Sequence, residues 1–320
     1  MEQAITVQAK PLGFFEKLRV LGAAGVAVLL VGYVGWMVAE PTDPQMAVTF
    51  TESGRSVWAV WPSLLVLTVV AAAVGSAIAG PRLPEAGMFA AAVGLAGLAL
   101  HGGSMQVLLD YEAGAVAAGR RRLMFTMGVD AVLWAALLAV SWVVVAAVGR
   151  WLWGNRTDAG PEKPPPPKKA TKQSSPLVDL LGGGPLALAV TSVVAMFVIW
   201  IAVARTPVAT VARGQAIASV FFGLYLGAMA GRYFTGIDHA RYYMLAPLVV
   251  ALVGFLLGYL QANMGWAGGA LAAYAQLATT PLHALARPLP IEYIGVGLAG
   301  AIVGFWSGEK IEQTTGQERS

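Results

Sequence analysis

The sequence predicts an all-α, polytopic integral membrane protein with about eight transmembrane helices, arranged as two tandem four-helix repeats. Composition, the run of apolar segments and a single polar linker between two sets of four support this fold class. Of the 320 residues, 57% are hydrophobic and 12% are charged, whereas soluble proteins carry about 25% charged residues. Too few ionic groups therefore remain to cover a water-exposed surface.

Eight apolar segments are predicted to cross the bilayer, because about 20 apolar residues in a helix span a hydrocarbon core of about 30 Å. The first is too long for the core of a signal peptide and is predicted to remain as an anchor. Ahead of it, Phe14, Phe15 and Leu18, together with Lys17 and Arg19, predict a short interfacial helix. The predicted spans are residues 20–39, 58–80, 86–109, 125–148, 184–204, 215–231, 243–263 and 293–306.

Composition also divides the chain into three parts. Residues 1–154 hold the first four spans, residues 155–176 form a linker, and residues 177–320 hold the last four spans and a short cytoplasmic tail. The stretch from Pro161 to Pro176 contains four consecutive prolines and several lysines. Prolines favour an extended chain and lysines keep it solvated, so this part is predicted to be a cytoplasmic linker without a core of its own.

The positive-inside rule sets the predicted orientation. With the N-terminus in the cytoplasm, 14 of the 21 Lys and Arg residues fall on the cytoplasmic side. Both termini are therefore predicted to be cytoplasmic, in a multi-pass protein of the inner cell membrane. The consecutive arginines Arg120 to Arg122 fall on the outer side and run against the rule.

Small residues recur at intervals of four at the ends of the second and sixth spans, which predicts helix packing and supports internal duplication. Such a stripe lets another helix backbone approach closely. An even number of spans in each copy gives both copies the same orientation, related by an axis along the membrane normal. The residues predicted to pack are Ser76 and Gly80 in the second span and Ser219, Gly223, Gly227 and Gly231 in the sixth.

Asp130 is the one carboxylate inside a predicted span away from its ends. Ionisable groups within a membrane are costly and commonly functional, so proton or cation handling is one interpretation. The other is structural: a carboxylate close to the start of its helix is favoured by the helix dipole. The sequence favours the structural interpretation.

His101 and His283 are the candidate cofactor-binding residues, because imidazole is the usual axial ligand of haem and a common metal ligand. Both are predicted near the same membrane face, yet His283 lies among prolines outside the spans. Separate hydrogen-bonded roles are favoured over shared haem ligation. The chain has no cysteine, which excludes disulfides, thiolate metal sites and thiol catalysis. No cofactor, metal site or catalytic residue is predicted.

Three classes of function remain open. The favoured one is a non-catalytic scaffold or anchor subunit of a larger membrane complex, whose partners are the lipid bilayer and other membrane subunits or copies of itself. A channel or transporter with a pathway between the two halves is the alternative. A quinone- or haem-associated redox subunit is the third class. Nucleic-acid binding is not expected, because the basic residues lie in short loops and near helix ends rather than in a stripe.

A transporter and a scaffold differ in what should lie between the helices. A transporter should gather polar side chains around a wet cavity, whereas a scaffold should show tight, dry seams of small residues. The polar residues that would line such a cavity are Thr68, Ser76, Thr191, Ser192, Gln215 and Ser219.

Overall fold

A computed structural model describes residues 13–80, 83, 85–109, 117–157, 183–203, 209–263 and 283–317. Within these ranges the chain is mostly helical and contains no strand. Six of the helices are long and apolar enough to cross a bilayer. The protein is therefore a helical membrane protein, as the composition predicts.

Eight helices of more than ten residues, numbered α1 to α8 in chain order, occur in the described residues. Their bounds are Phe14–Ala39 for α1, Val57–Ala79 for α2, Ala86–Ala99 for α3, Ala117–Thr157 for α4, Gly183–Ala202 for α5, Ala209–Thr235 for α6, Ala240–Leu260 for α7, and Glu292–Gly297 continued by Leu298–Gln317 for α8. The middle of α1, Val28–Val34, and the start of α8, Glu292–Gly297, are π-helical.

Every predicted span overlaps one of these helices, but α3 and α8 do not qualify as long apolar helices within the described residues. The helix α3 has 14 residues and is about 21 Å long. The predicted segment continued to residue 109, whereas the helix ends at Ala99 and Gly102 adopts a positive φ of 71°. A single helical turn, Met105–Leu108, follows.

The helix α4 is longer than the predicted span of residues 125–148. It begins at Ala117, so Arg120 to Arg122 lie in its first turns rather than in a loop. The guanidinium of Arg121 lies 5.8 Å from the centre of the Tyr259 ring at the end of α7. The helix ends at Thr157, so it includes the first residues of the predicted linker. The remainder of the linker, from residue 158, lies outside the described residues.

The helices pack as two groups of four with a shared interface. In the first half, α2 packs against α1, α3 and α4, and α1 packs against α3. In the second half, α6 packs against α5 and α8, and α7 packs against α5 and α8. Between the halves, α3 packs against α8 and α4 packs against α7.

The short helix α3 lies at the centre of this arrangement and is almost entirely buried. It approaches α1 so closely that a Cβ atom on Gly94 would lie 2.8 Å from the carbonyl oxygen of Ala27. A Cβ atom on Gly295, in the π-helical start of α8, would lie 2.9 Å from Leu95. Both π-helical segments therefore lie against α3, and small residues make the close packing possible.

Candidate functional site

Buried charged side chains define the candidate site, because charge within a membrane protein is costly unless it is paired. Among the described residues, Asp130, Arg232 and Glu292 are buried, and Arg213 is partly buried. Asp130 belongs to α4, Arg213 and Arg232 to opposite ends of α6, and Glu292 to the start of α8. The sequence prediction singled out only the first of these four.

Asp130 holds the α1–α2 loop, residues 40–56, against α4. Its Oδ1 atom accepts hydrogen bonds from the backbone N–H groups of Phe50, at 2.6 Å, and Thr51, at 3.2 Å. Its Oδ2 atom accepts a 2.9 Å bond from the indole N–H of Trp134, one turn further along α4. Three donors therefore surround a carboxylate that has no exposed surface.

This position differs from the helix start that the sequence suggested. Because α4 begins at Ala117, Asp130 lies in the fourth turn and its carboxylate does not cap that helix. It binds amides that are about 80 residues away in sequence, and no local sequence pattern predicts such a contact. The ring of Phe50 packs on Trp134 with 4.1 Å between ring centroids.

The α1–α2 loop fills the end of the bundle beside Asp130, here called the loop end. Residues 46–50 are all buried, with exposed fractions of 5% or less. The N–H of Gly103, just after α3, donates a 2.9 Å bond to the carbonyl oxygen of Met46. The loop is thus bonded both to α4 and to the residues that follow α3.

Arg213 caps the carboxyl end of α3 from the other half of the protein. Its guanidinium donates to the carbonyl oxygens of Ala99 and Gly102 and, at 2.6 Å, to that of His101. The last carbonyls of a helix lack partners within the helix and carry partial negative charge. A guanidinium with several donors in a fixed plane satisfies them together.

Glu292 lies at the start of α8, close enough to Arg213 for electrostatic attraction. Its Oε2 atom accepts a 2.8 Å bond from the backbone N–H of Leu289, three residues earlier. Pro290 follows as the first helical residue. Proline at the first helical position and glutamate at the third are ordinary signals of a helix start. That signal was present in the sequence but went unused, because Glu292 fell just outside the predicted span.

Arg232, like Arg213, connects α6 to other segments, but it lies at the opposite end of α6. Its guanidinium forms a 3.0 Å ion pair with Asp238, which lies between α6 and α7. It also donates a 3.3 Å bond to the carbonyl oxygen of Phe305 on α8 and lies 4.2 Å from the centre of that ring. The residue therefore joins α6 to the α6–α7 connection and to α8.

The two candidate haem ligands have separate partners. The ring of His101 stacks on Trp36, with 5.0 Å between centroids. The Nδ1 atom of His283 accepts a 3.3 Å bond from the N–H of Leu285 and so caps a short helical turn. Burial lowers the pKa of His283, which favours the neutral ring that this bond requires. The described residues contain no group of three His, Asp or Glu side chains that could hold a metal ion.

The small residues predicted to pack have two different environments. Gly223, Gly227 and Gly231 lie against α5, where a Cβ on Gly227 would be 2.5 Å from the carbonyl oxygen of Thr191. Ser219 is buried on the same helix. In the first half Ser76 is buried beside Gly87 of α3.

Gly80 does not pack. It ends α2 with a φ of 83° and a ψ of −177°, and a Cβ there would meet nothing within 4 Å. Glycine is needed at Gly80 for its conformation rather than for close approach.

The polar residues that would line a transport cavity lie on three helices, α2, α5 and α6. The hydroxyl of Thr68 donates 2.7 Å to the carbonyl oxygen of Leu64, and that of Ser219 donates 2.8 Å to Ala216, each within its own helix. Thr191 and Ser192 are buried on α5, and Gln215 is exposed.

No protein family, no curated protein and no solved structure matches the chain.

Proposed function

We propose that this protein is a non-catalytic scaffold or anchor subunit of a larger membrane complex. One observation carries the proposal: each of the four charged side chains described above binds backbone groups of another segment or of its own helix start. Asp130 binds the α1–α2 loop, and Arg213 binds the end of α3. Charges used in this way stabilise a fold. The proposal requires no cofactor.

The seams between helices support the same conclusion. In the α5–α6 seam, Gly223 and Gly227 lie within van der Waals reach of backbone carbonyls of α5. Hydroxyl groups on α2 and α6 bond to carbonyls of their own helices. Tight packing of this kind suits a rigid subunit whose outward apolar surface meets lipid and partner helices.

The proposal includes eight spans in two tandem repeats. The order of packing supports it, because α2 packs on α1 and α4 just as α6 packs on α5 and α8. The contacts between the halves fit the same symmetry. If α3 corresponds to α7 and α4 to α8, then exchanging the halves turns the contact of α3 with α8 into the contact of α7 with α4. A two-fold axis along the membrane normal produces such reciprocity. As a short span, α3 is surrounded by protein rather than lipid, which a membrane protein tolerates.

The proposed location is the inner cell membrane, with both termini and the linker in the cytoplasm. The excess of Lys and Arg on that side supports this orientation. Because the chain has no cysteine, a Ser174→Cys variant can be labelled at a single site. A membrane-impermeant maleimide should label it only after the cells are opened, and labelling of intact cells would contradict the orientation.

A transporter is the second candidate, and one observation favours it. The short helix α3 ends at the interface between the halves, beside Glu292 and between two π-helical segments. Interrupted helices at a repeat interface commonly mark transport sites, and π-helical turns often occur at functional sites. In this protein, however, a guanidinium already occupies the carbonyls at the end of α3.

Purification in native lipid with and without crosslinking, followed by reconstitution, separates the two candidates. A scaffold should purify with other membrane proteins at fixed stoichiometry, and the chain alone in liposomes should carry no ion flux. A homo-oligomer that conducts ions would contradict the scaffold. If that flux were lost in a folded Glu292→Gln variant, the interface between the halves would be the pathway.

A further inference from the structure

The α1–α2 loop is longer than its connection requires. It has the 17 residues between Ala39 and Val57, although α1 and α2 pack against each other. Neighbouring helices are usually joined by about 2–8 residues. Loops of more than about 12 residues in compact proteins are commonly functional, as lids or binding loops.

The two ends of this loop are bonded to each other. The backbone N–H of Thr42 donates a 3.0 Å bond to the carbonyl oxygen of Ser53, and the Thr42 hydroxyl donates to the same oxygen at 3.3 Å. Gly54, next to the bonded residue Ser53, has a φ of 71°. A compact loop with joined ends is an Ω-loop, which packs on its own side chains and is frequently functional.

Within the loop, residues 46–50 are buried against the helices, and in the part of the chain that the structure describes polar bonds hold the loop at Asp130 and at Gly103. The Oδ1 atom of Asp130 accepts both amide bonds, from Phe50 and Thr51. A third bond joins Gly103 to Met46. If the loop leaves, Asp130 keeps the indole of Trp134 as a partner, because that residue belongs to the same helix.

We propose that the loop from Thr42 to Ser53 is a lid over the loop end of the bundle. It leaves its recess as a unit while the helices remain folded, and Asp130 is the residue that holds it closed. Opening uncovers a recess lined by Trp134, the Asp130 carboxylate and the residues after α3. The inference does not depend on the proposed scaffold function, since a lid of this kind concerns the loop and the first half alone.

Hydrogen exchange on the unmodified protein in detergent tests whether the lid opens. The amides of Phe50 and Thr51 should exchange together, and faster than the amides of α2 and α4 beside them. Exchange of these two amides only at the rate of global unfolding would overturn the proposal.

Cysteine labelling of the purified protein tests the role of Asp130. The reporter is Ala47→Cys, at a fully buried lid position. Adding Asp130→Ala should raise its rate of labelling by a hydrophilic maleimide about tenfold or more, the factor that corresponds to about 1.4 kcal/mol. Asp130→Asn keeps an oxygen for both amides and should have a smaller effect.

Two controls separate lid opening from unfolding. Ser141→Ala removes another buried polar atom from α4. The hydroxyl of Ser141 donates to the carbonyl oxygen of Leu137 in the same helix, so this variant should leave Ala47→Cys protected. A second reporter, Ala286→Cys, is fully buried in the second half and should stay protected in the Asp130→Ala background. Equal labelling of Ala47→Cys with and without Asp130, or parallel exposure of both reporters, would contradict the proposal.

Discussion

Both halves of the bundle pack their helices through small residues, but the first half also holds a long loop with a buried carboxylate. In the first half a buried carboxylate binds two loop amides and an indole, and an Ω-loop covers the end of the helices. In the second half glycines of α6 bring its backbone against α5. Hydrogen bonds are directional and can be exchanged for water, whereas a glycine seam tolerates almost no change of shape. The loop of the first half is therefore expected to be movable, and the glycine seam of the second half to be rigid.

The largest expected effect comes from filling the α5–α6 seam. In Gly227→Leu, the new Cβ would lie 2.5 Å from the carbonyl oxygen of Thr191, so the two backbones must separate. We expect a loss of about 3 kcal/mol or more, at the upper end of overpacking effects. The yield of monodisperse protein after detergent extraction measures it.

Gly128→Leu is the matched control for the seam. Gly128 lies on α4, and a Cβ there would meet nothing within 4 Å. This variant should extract like the parent protein. If both variants behaved normally, the seam would not restrain the second half and the comparison between the halves would fail.

Removing the carboxylate of the first half should have the next largest effect. Asp130→Leu leaves two amides and one indole N–H without their acceptor, and unsatisfied buried donors cost about 1–3 kcal/mol each. Because the loop amides can reach water when the lid opens, we expect a total of about 2–3 kcal/mol. Thermal unfolding followed by Trp fluorescence measures the loss.

Asp130→Asn separates the structural role of this residue from a role in ion handling. The amide oxygen can still accept from Phe50 and Thr51, so only the bond from Trp134 and the charge are lost. We expect about 1 kcal/mol of destabilisation. If the parent protein carried a proton or cation flux and a stable Asp130→Asn protein had lost it, Asp130 would have a role in transport.

The sequence predicted some of these features and missed others for identifiable reasons. Uninterrupted apolar runs located α2, α5 and α7 to within a few residues. The end of α3 was missed because the apolar segment continues beyond Gly102 and Gly103 to Leu109. The start of α4 was missed because three arginines resemble a loop, although such residues fit the first turns of a helix near the membrane interface.

The candidate site was harder to predict than the helices, because its partners are distant in sequence. Arg213 is 111 or more residues from the carbonyls it caps, and its position suggested only a loop charge. Asp130 was recognised as unusual, but its binding of Phe50 depends on the packing of α4 beside the loop. Glu292 was the exception, since its helix-start signal is local.

Arg213 connects the two halves, and its removal should have an intermediate effect. Arg213→Met leaves the carbonyl oxygens of Ala99, His101 and Gly102 without their donor, for an expected loss of about 2 kcal/mol. Arg213→Lys keeps the charge but not the planar set of donors and should recover only part of it. Thermal unfolding measures both.

A double-mutant cycle tests whether Arg213 and Glu292 act together. Arg213→Met combined with Glu292→Gln should be less destabilising than the sum of the single changes, because each single change leaves the other group without its opposite charge. Strict additivity would show that Arg213 acts only through the carbonyls of α3.

The last comparison concerns two glycines that the small-residue stripes placed in equivalent positions, Gly80 and Gly231. Gly80 has a conformation that is almost confined to glycine but has open space around it. Gly80→Ala should therefore cost about 1–2 kcal/mol for the strained backbone, and Gly80→Leu should cost the same, because no neighbour meets the larger side chain.

Gly231 is helical, and a Cβ there would overlap the hydroxyl of Thr191. The loss of stability should therefore be much larger for Gly231→Leu than for Gly231→Ala. Thermal unfolding of the four variants shows how the loss depends on side-chain size at each position. A cost at Gly80 that grew with side-chain size would mean that α2 meets another helix at this position, and the two stripes would then be equivalent in packing as well as in sequence.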